Sequence, residues 1–122
     1  MEKTNVQCDA TNRVDRPAFG EAVFDLVRRT ACELPADVEQ ALRRAHDEEA
    51  PDSTARMIFA SFLENMALAG EKQDPLCQDT GMPLFFIHHP PGLSYRAMRR
   101  VCEEVVARAT REQLLRPNAV DP

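Results

Sequence analysis

The sequence predicts a mainly α-helical protein with one short β segment, an α+β fold. Four stretches repeat apolar residues at intervals of three and four, and residues that start helices precede them. A fifth stretch, MPLFFIHH, is a short apolar run between prolines and is too brief for a helix. The length of 122 residues suits one domain or part of one, and 43% hydrophobic with 29% charged residues is a globular balance.

The first helix is expected to follow a polar start of the chain. Residues 1–16 contain no apolar core segment, so we predict a flexible lead-in there and the folded part at 17–122. Pro17 suits the first position of a helix. The apolar residues that recur at helical spacing behind it are Phe19, Val23, Leu26 and Val27.

Two more helices are predicted before the middle of the chain. One starts at Pro35, and its stripe consists of Val38, Ala41, Leu42 and Ala45. The acidic segment HDEEAPDS separates it from a third helix, which Ser53 or Thr54 can cap and Gly70 is expected to end. The apolar residues of this third helix cover so much of its circumference that we expect burial on more than one side: Met57, Ile58, Phe59, Phe62, Leu63, Met66 and Ala69.

A strand and a final long helix complete the prediction. Residues 84–88, Leu84 to His88, are expected to form the strand. Ser94 is the expected cap of the last helix, and Arg116–Pro117 its expected end. The stripe of that helix consists of Met98, Val101, Cys102, Val105 and Ala109. Because a buried strand must pair its backbone groups, this strand needs a partner that the sequence does not obviously contain.

Charge and composition exclude several classes of function. The net charge is −5 and the isoelectric point near 5.2, without a basic run that could follow a phosphate backbone, so neither nucleic acid nor a membrane surface is an expected partner. No secretory signal and no run of membrane-spanning length is visible. We therefore expect a cytoplasmic protein whose cysteines are thiols or metal ligands.

The four cysteines differ in their surroundings. They stand at positions 8, 32, 77 and 102, without the close spacing of a zinc knuckle or a bacterial ferredoxin motif. Cys8 lies in the lead-in, and Cys32 and Cys102 are predicted to be incidental or core residues. Cys77 is the cysteine with a functional context, since it begins the polar turn CQDTG.

The CQDTG turn combines several reactive groups. A Cys77 thiolate is a soft ligand for iron or zinc, Gln78 can donate and accept hydrogen bonds, and Asp79 can act as a base. Thr80 adds a hydroxyl, and Gly81 permits a tight turn or a close approach to a ligand. An ordinary Asx turn, with Asp79 bonded to its own backbone, is an equally good interpretation of these residues alone.

Histidines and an arginine offer further candidates. His88 and His89 would point to opposite faces of a strand, so only one of them could join Cys77 in a zinc site; a solvated strand end is the simpler interpretation. Arg116 could bind a carboxylate with its planar fork, or could complement the dipole at the end of the last helix.

Two motifs together resemble a known family. CQDTG followed by an apolar run resembles the N-terminal region of the class I, iron–sulfur-dependent hydro-lyases, the class I fumarases and the alpha subunits of L(+)-tartrate dehydratase. The segment LLRPNAVDP is similar to the LR-x-N-A-V segment of this family, and its arginine follows the cysteine by about forty residues, as in the family. The resemblance extends over residues 17–122 and includes FLENMALAG before the first motif.

The resemblance implies a role for each matching residue. Cys77 matches the first of three cysteines that hold a [4Fe–4S] cluster, which acts in this family as a Lewis acid. Gln78 and Asp79 match residues that contact the substrate, with Asp79 a candidate for proton transfer, and Arg116 matches an arginine that binds a substrate carboxylate. The implied reaction is reversible hydration and dehydration of a dicarboxylic acid, such as fumarate to malate or tartrate to oxaloacetate.

The departures from the family pattern lead to further expectations. The other two cluster cysteines of the family lie beyond the LR-x-N-A-V segment, and none of Cys8, Cys32 and Cys102 matches them. We therefore expect a truncated N-terminal portion of the alpha-type domain, inactive alone. Its expected partners are the rest of the alpha region and a beta region or subunit, in a homo- or hetero-oligomer. The alternatives are a non-enzymatic helical interaction module, which would use the exposed faces of its helices, and the zinc site considered above.

Overall fold

The described part of the chain is helical. In the computed structural model, residues 15–77 and 82–117 are described, and four helices occur within them. These are α1 (Arg16–Cys32), α2 (Ala36–Glu48), α3 (Thr54–Lys72) and α4 (Tyr95–Arg111). None of these helices is both long and apolar enough to cross a membrane.

Side-chain oxygens cap three of the helices. Asp15 accepts a hydrogen bond from the Ala18 amide at 3.3 Å, with Pro17 in the first turn of α1. Ser53 caps α3, and Ser94 caps α4 by accepting from the Ala97 amide at 3.3 Å. These caps confirm the predicted starts of α1, α3 and α4, because each pairs an amide that a helix leaves without an intrahelical acceptor. In α2, Pro35 is the cap residue and the helix begins one position later.

The hydrophobic core lies between α1 and α4. Its buried residues come from α1, from α4 and from the turn after α4: Phe19, Val23, Phe24, Val27, Cys32, Met98, Val101, Cys102, Val105, Ala109 and Leu114. They include every residue of the two predicted stripes except Leu26, which is 42% exposed. Arg108 joins the two helices at the edge of this core. Its guanidinium donates to Glu21 at 2.8 Å and lies 3.7 Å from the centre of the Phe24 ring.

Helices α2 and α3 form a hairpin that packs on itself more than on the core. Arg56 of α3 donates to the carbonyl oxygens of His46 and Glu49, at 3.2 and 3.0 Å, and so holds the connecting loop. No residue of α2 is buried, and in α3 only Ala69 is. The hairpin touches α1 through α3.

The prediction that α3 is buried on several sides is wrong for this structure. The side that carries Phe59, Leu63 and Met66 is half-buried, whereas Met57 is 68% exposed and Phe62 is 51% exposed. No other described element covers this second side of α3. Its apolar residues are therefore in contact with solvent.

The predicted strand is also absent from the described residues. Residues 82–90 contain no strand, so the structure is mainly α and the expected β segment at Leu84–His88 is wrong as a paired element. A strand is defined by hydrogen bonds to a neighbouring strand, and the described part of the chain provides no neighbour. Phe85 of this run instead packs in part against the hydrophobic core.

Two helix ends differ from the prediction. Helix α3 continues past Gly70 to Lys72 and is capped by Gln73, whose φ of 57° supplies the left-handed conformation expected of the glycine. Helix α4 ends at Arg111, earlier than the predicted Arg116–Pro117. The chain turns there because the amide of Leu114 bonds back to the Ala109 carbonyl at 2.9 Å, which returns the Leu114 side chain to the core.

Candidate functional site

The segment that leads into CQDTG is fixed by contacts with two helices. The Leu76 amide donates to the carbonyl of Ala31 in the last turn of α1, at 2.9 Å. The side-chain amide of Asn65 in α3 donates to the Leu76 carbonyl at 3.1 Å. Leu76 is therefore held from both sides, and Cys77 follows at a defined place beside the C-terminal ends of α1 and α3.

The end of α3 prepares this placement. The backbone reverses at Gln73, and the Asp74 amide donates to the Ala69 carbonyl at 3.2 Å. Pro75 follows and cannot continue the helix, because proline has no amide hydrogen to donate. The chain therefore leaves α3 within three residues and reaches Leu76 in position to bond α1.

The cysteines divide as predicted between core and surface. Cys32 and Cys102 are buried and Cys77 is exposed. Burial raises the pKa of the Cys32 thiol, against a smaller lowering by Arg28. Burial also raises the pKa of the Cys102 thiol, and Glu103 adds to this. The two buried thiols are thus held in the neutral form, which is a poor metal ligand. Cys77, in contrast, is exposed and can be reached by a metal ion.

The remaining predicted site residues are placed only in part. Gln78 and Asp79, with Thr80 and Gly81, lie outside the described residues. Arg116 is described and exposed, five positions beyond the end of α4. Because the helix dipole acts within the last turn, which here holds Arg108 and Arg111, the alternative of a dipole-complementing Arg116 loses its basis.

The described residues do not form a metal site by themselves. Within residues 15–77 and 82–117, no group of three or more His, Cys, Asp or Glu side chains could hold a metal ion. His88 and His89 are exposed, and a ring nitrogen of His89 lies 2.9 Å from the Pro90 carbonyl oxygen. One exposed cysteine cannot hold a [4Fe–4S] cluster, so the residues described here do not fit the complete cofactor.

An open groove lies elsewhere, between the first turns of α1 and the middle of α4. Charged side chains of both signs border it: Arg16, Glu21, Glu104 and Arg108. Arg16 and Glu104 approach to 3.9 Å across the groove, and Glu21 and Arg108 to 2.8 Å. Since these charges pair with one another, the groove has no excess charge to attract a dicarboxylate.

Sequence reasoning missed the support behind the motif. Neither Asn65 nor Leu76 was a predicted site residue, yet both position Cys77. The amide side chain of Asn65, inside the mostly apolar stretch FLENMALAG, is the one signal in the sequence for this role. Its acceptor, the carbonyl of Leu76, could not be foreseen because any backbone carbonyl can accept such a bond.

Comparison with known proteins identifies the family. The family model described as fumarate hydratase (fumerase) matches residues 20–122, which include both motifs. The chain therefore belongs to the fumarate hydratase family, as the two motifs predicted.

Three relatives show which proteins this chain is similar to. It is 37% identical over 101 residues to a protein of Geobacillus stearothermophilus named as a class I fumarate hydratase, over 83% of this chain and 20% of the relative. It is 37% identical over 107 residues to a protein of Methanocaldococcus jannaschii named as an L(+)-tartrate dehydratase subunit alpha, over 85% of this chain and 37% of that one. The corresponding subunit of Escherichia coli K12 is 28% identical over 122 residues, 99% of this chain and 38% of the subunit. The chain thus spans about a fifth to two fifths of the length of these relatives.

Proposed function

We propose that this chain forms the N-terminal part of a hydro-lyase that reversibly adds water to, or removes water from, a dicarboxylic acid. Fumarate with malate, and tartrate with oxaloacetate, are the substrate pairs that the names of the relatives suggest. The observation that carries the proposal is that CQDTG and LLRPNAVDP both fall inside the family match at 20–122. The two buried thiols, Cys32 and Cys102, suit the reducing environment of the cytoplasm, where we place the enzyme.

Each candidate residue receives a role in this proposal. Cys77 supplies one thiolate ligand of a [4Fe–4S] cluster, and its exposure and fixed backbone support that role. Arg116 binds a substrate carboxylate through its guanidinium, which is always charged and fits both oxygens. Gln78 orients the substrate by hydrogen bonds, and Asp79 holds or accepts the proton at the carbon next to the leaving or entering hydroxyl.

The proposed active site extends beyond the described residues. These residues supply one of the ligands that a cluster needs, and they form no metal site alone. The parts of the relatives outside the aligned region are the proposed source of the other ligands and of the rest of the substrate site. The described residues are accordingly expected to be inactive by themselves, and the active form is expected to contain such polypeptide as well, in a homo- or hetero-oligomer.

The test is complementation in the absence of oxygen. The chain is co-expressed with the part of the Geobacillus stearothermophilus relative that lies outside the 101 aligned residues, and the purified complex is reconstituted with iron and sulfide. Hydration of fumarate and dehydration of L(+)-tartrate are then measured. Activity with either substrate supports the proposal, and a complex that contains the cluster but converts neither substrate overturns it.

Three variants and two matched controls assign the roles. Cys77→Ser is expected to lower the iron content together with the activity, whereas Cys8→Ser leaves both unchanged. Asp79→Asn is expected to lower kcat by about 100-fold or more while the iron content stays the same. Arg116→Lys is expected mainly to raise KM, because the paired hydrogen bonds to a carboxylate are lost. Arg111→Lys, at an exposed position in the last turn of α4, is its control.

A further inference from the structure

The segment Met82–Ile87, which follows the CQDTG turn, has the properties of a β-strand without its neighbour. It has six apolar residues in a row, a pattern typical of strands that are covered on both faces. Burial alternates along it: Pro83 and Phe85 are half-buried, whereas Met82, Leu84 and Phe86 are 81%, 72% and 85% exposed. A period of two is that of an extended backbone, with one face toward the core and one toward solvent.

The backbone of this segment is not paired within the described residues. No backbone hydrogen bond joins the amide or carbonyl groups of Met82–Ile87 to another part of the described chain. Unpaired strand edges of this kind accept an added strand. The outward side chains of Met82, Leu84 and Phe86 expose on the order of 400–500 Å² of apolar surface, which equals the largest patch on a typical monomer.

Proline distinguishes the two edges of the segment. The amide and carbonyl groups of alternate residues in a strand point to the same edge, so Leu84 and Phe86 share one edge while Pro83, Phe85 and Ile87 share the other. Pro83 lacks an amide hydrogen, and prolines in sheets occur at edges that face away from a neighbour. The Leu84 and Phe86 edge therefore carries the complete set of donors and acceptors.

We propose that the Leu84 and Phe86 edge of Met82–Ile87 pairs with a strand of the polypeptide that the relatives carry outside the aligned region, and that the same polypeptide covers the exposed face. This inference rests on the proposed function, because it takes its partner from that assembly. The 101 residues aligned with the Geobacillus stearothermophilus protein are 20% of its length, so four fifths of it lies outside the match.

A second copy of this chain is the less suitable partner. Two copies paired edge to edge would satisfy the backbone groups of both segments. The side chains of a two-stranded ribbon stand perpendicular to it, so Met82, Leu84 and Phe86 would stay exposed in both copies. A larger polypeptide can supply both a strand for the edge and a layer for the face, by the addition of a strand to a sheet edge that many complexes use.

The test compares hydrogen exchange and affinity in the same complex. The full chain, labelled with ¹⁵N, is co-purified with the outlying part of the Geobacillus stearothermophilus relative, and amide exchange is measured with and without this partner. We expect the Leu84 and Phe86 amides to be protected at least about 100-fold in the complex while those of Phe85 and Ile87 stay closer to their rates in the isolated chain. Unchanged exchange at Leu84 and Phe86 in a formed complex, or no complex at all, overturns the proposal.

Three variants separate the backbone from the side chain. Leu84→Pro is expected to weaken binding about tenfold more than Leu84→Ala, since both shorten the side chain and only proline removes the amide donor. Ile87→Pro removes a donor on the opposite edge and is expected to bind within about threefold of the unaltered chain. Equal losses for Leu84→Pro and Ile87→Pro contradict the assigned edge.

Two further readouts identify the source of any failure. Sedimentation of the chain alone reports self-association, and protection of the Leu84 and Phe86 amides in such an oligomer would show that a second copy is the partner instead. Hydratase activity is measured on the same complex. Protected Leu84 and Phe86 amides in a complex without hydratase activity would support the strand pairing and count against the proposed function. Hydratase activity in a complex without protected amides would support the proposed function and count against the strand pairing.

Discussion

Met98 provides a quantitative test of where the core lies. Its side chain is 3% exposed in the interface of α1 and α4, and Met98→Ala removes three heavy atoms from that interface. Methionine-to-alanine changes in cores lower the free energy of unfolding by roughly 2–5 kcal/mol, partly through lost transfer free energy and partly through the cavity that remains. Because the site is almost fully enclosed but belongs to a small core, we expect a loss of about 3 kcal/mol.

The matched control is Met57→Ala on the exposed side of α3. Met57 is 68% exposed, and like Met98 it lies within a helix, so both changes gain the same helical preference of alanine. We expect this variant to stay within about 0.5 kcal/mol of the unaltered chain. The difference between the two variants therefore measures burial alone.

The assay is urea unfolding followed by far-ultraviolet circular dichroism at two protein concentrations. The expected loss corresponds to a decrease in Tm of about 10 °C for a chain of this size. A loss below about 1 kcal/mol for Met98→Ala would refute the α1 and α4 core. Equal losses for the two variants would instead show that the exposed side of α3 is covered in solution, and a dependence on protein concentration would identify self-association as the cause.

Three smaller predictions follow from caps, glycines and thiols. Ser94→Ala is expected to lower the free energy of unfolding by about 1 kcal/mol, because the α4 cap is lost. The control is Ser61→Ala, whose hydroxyl donates within α3 and whose loss is expected to change the free energy of unfolding by about zero. Equal effects of the two changes would contradict the capping role of Ser94. Gly70→Ala is expected to raise the free energy of unfolding by about 0.5–1 kcal/mol, since a methyl group at this helical position meets open space. A decrease in the free energy of unfolding would show that α3 is packed against a neighbour at this position. The buried Cys32 and Cys102 have a pKa raised above 9.0, so the folded chain keeps protons that the unfolded chain loses; stability is expected to be complete below about pH 9 and to fall as the pH rises beyond it. Cys102→Ala should reduce that slope in urea titrations across this pH range, and an unchanged slope would refute the assignment.

Local patterns predicted the helices well because each depends on neighbouring residues. The Ser53 and Ser94 caps and the stripe of α4 are set within one or two turns of chain, and the structure confirms them. It also confirms the stripe of α1 apart from Leu26, which is exposed. The end of α4 was not predictable in this way. The helix ends where it does because Leu114 packs back into the core. This is a tertiary contact, which the helical periodicity of the sequence does not reveal.

The same limit applies to the candidate site. The pentapeptide at 77–81 predicts the candidate site. The position of Cys77, however, depends on the hydrogen bond that Leu76 donates to Ala31 and on the one that it accepts from Asn65, and both partners lie outside the motif. The family could be predicted because its two motifs are read directly from residues. How Gln78, Asp79 and Arg116 meet a substrate remains a proposal.

The two mistaken expectations, a buried α3 and a strand at Leu84–His88, have one physical cause. Both expectations were based on apolar residues that would be buried only if another part of a protein covered the element on two sides. The described residues cover α3 and the segment around Leu84 on one side only. Exposed apolar surface of this kind marks interaction sites on many proteins, so both patterns are consistent with contacts to the partner proposed above. Along the chain, Cys77 stands between these two surfaces, five residues after the end of α3 and five before Met82. Under the proposed function, a partner that covers Met82–Ile87 would bind within five residues of Cys77, so binding of the partner and completion of the proposed site would go together.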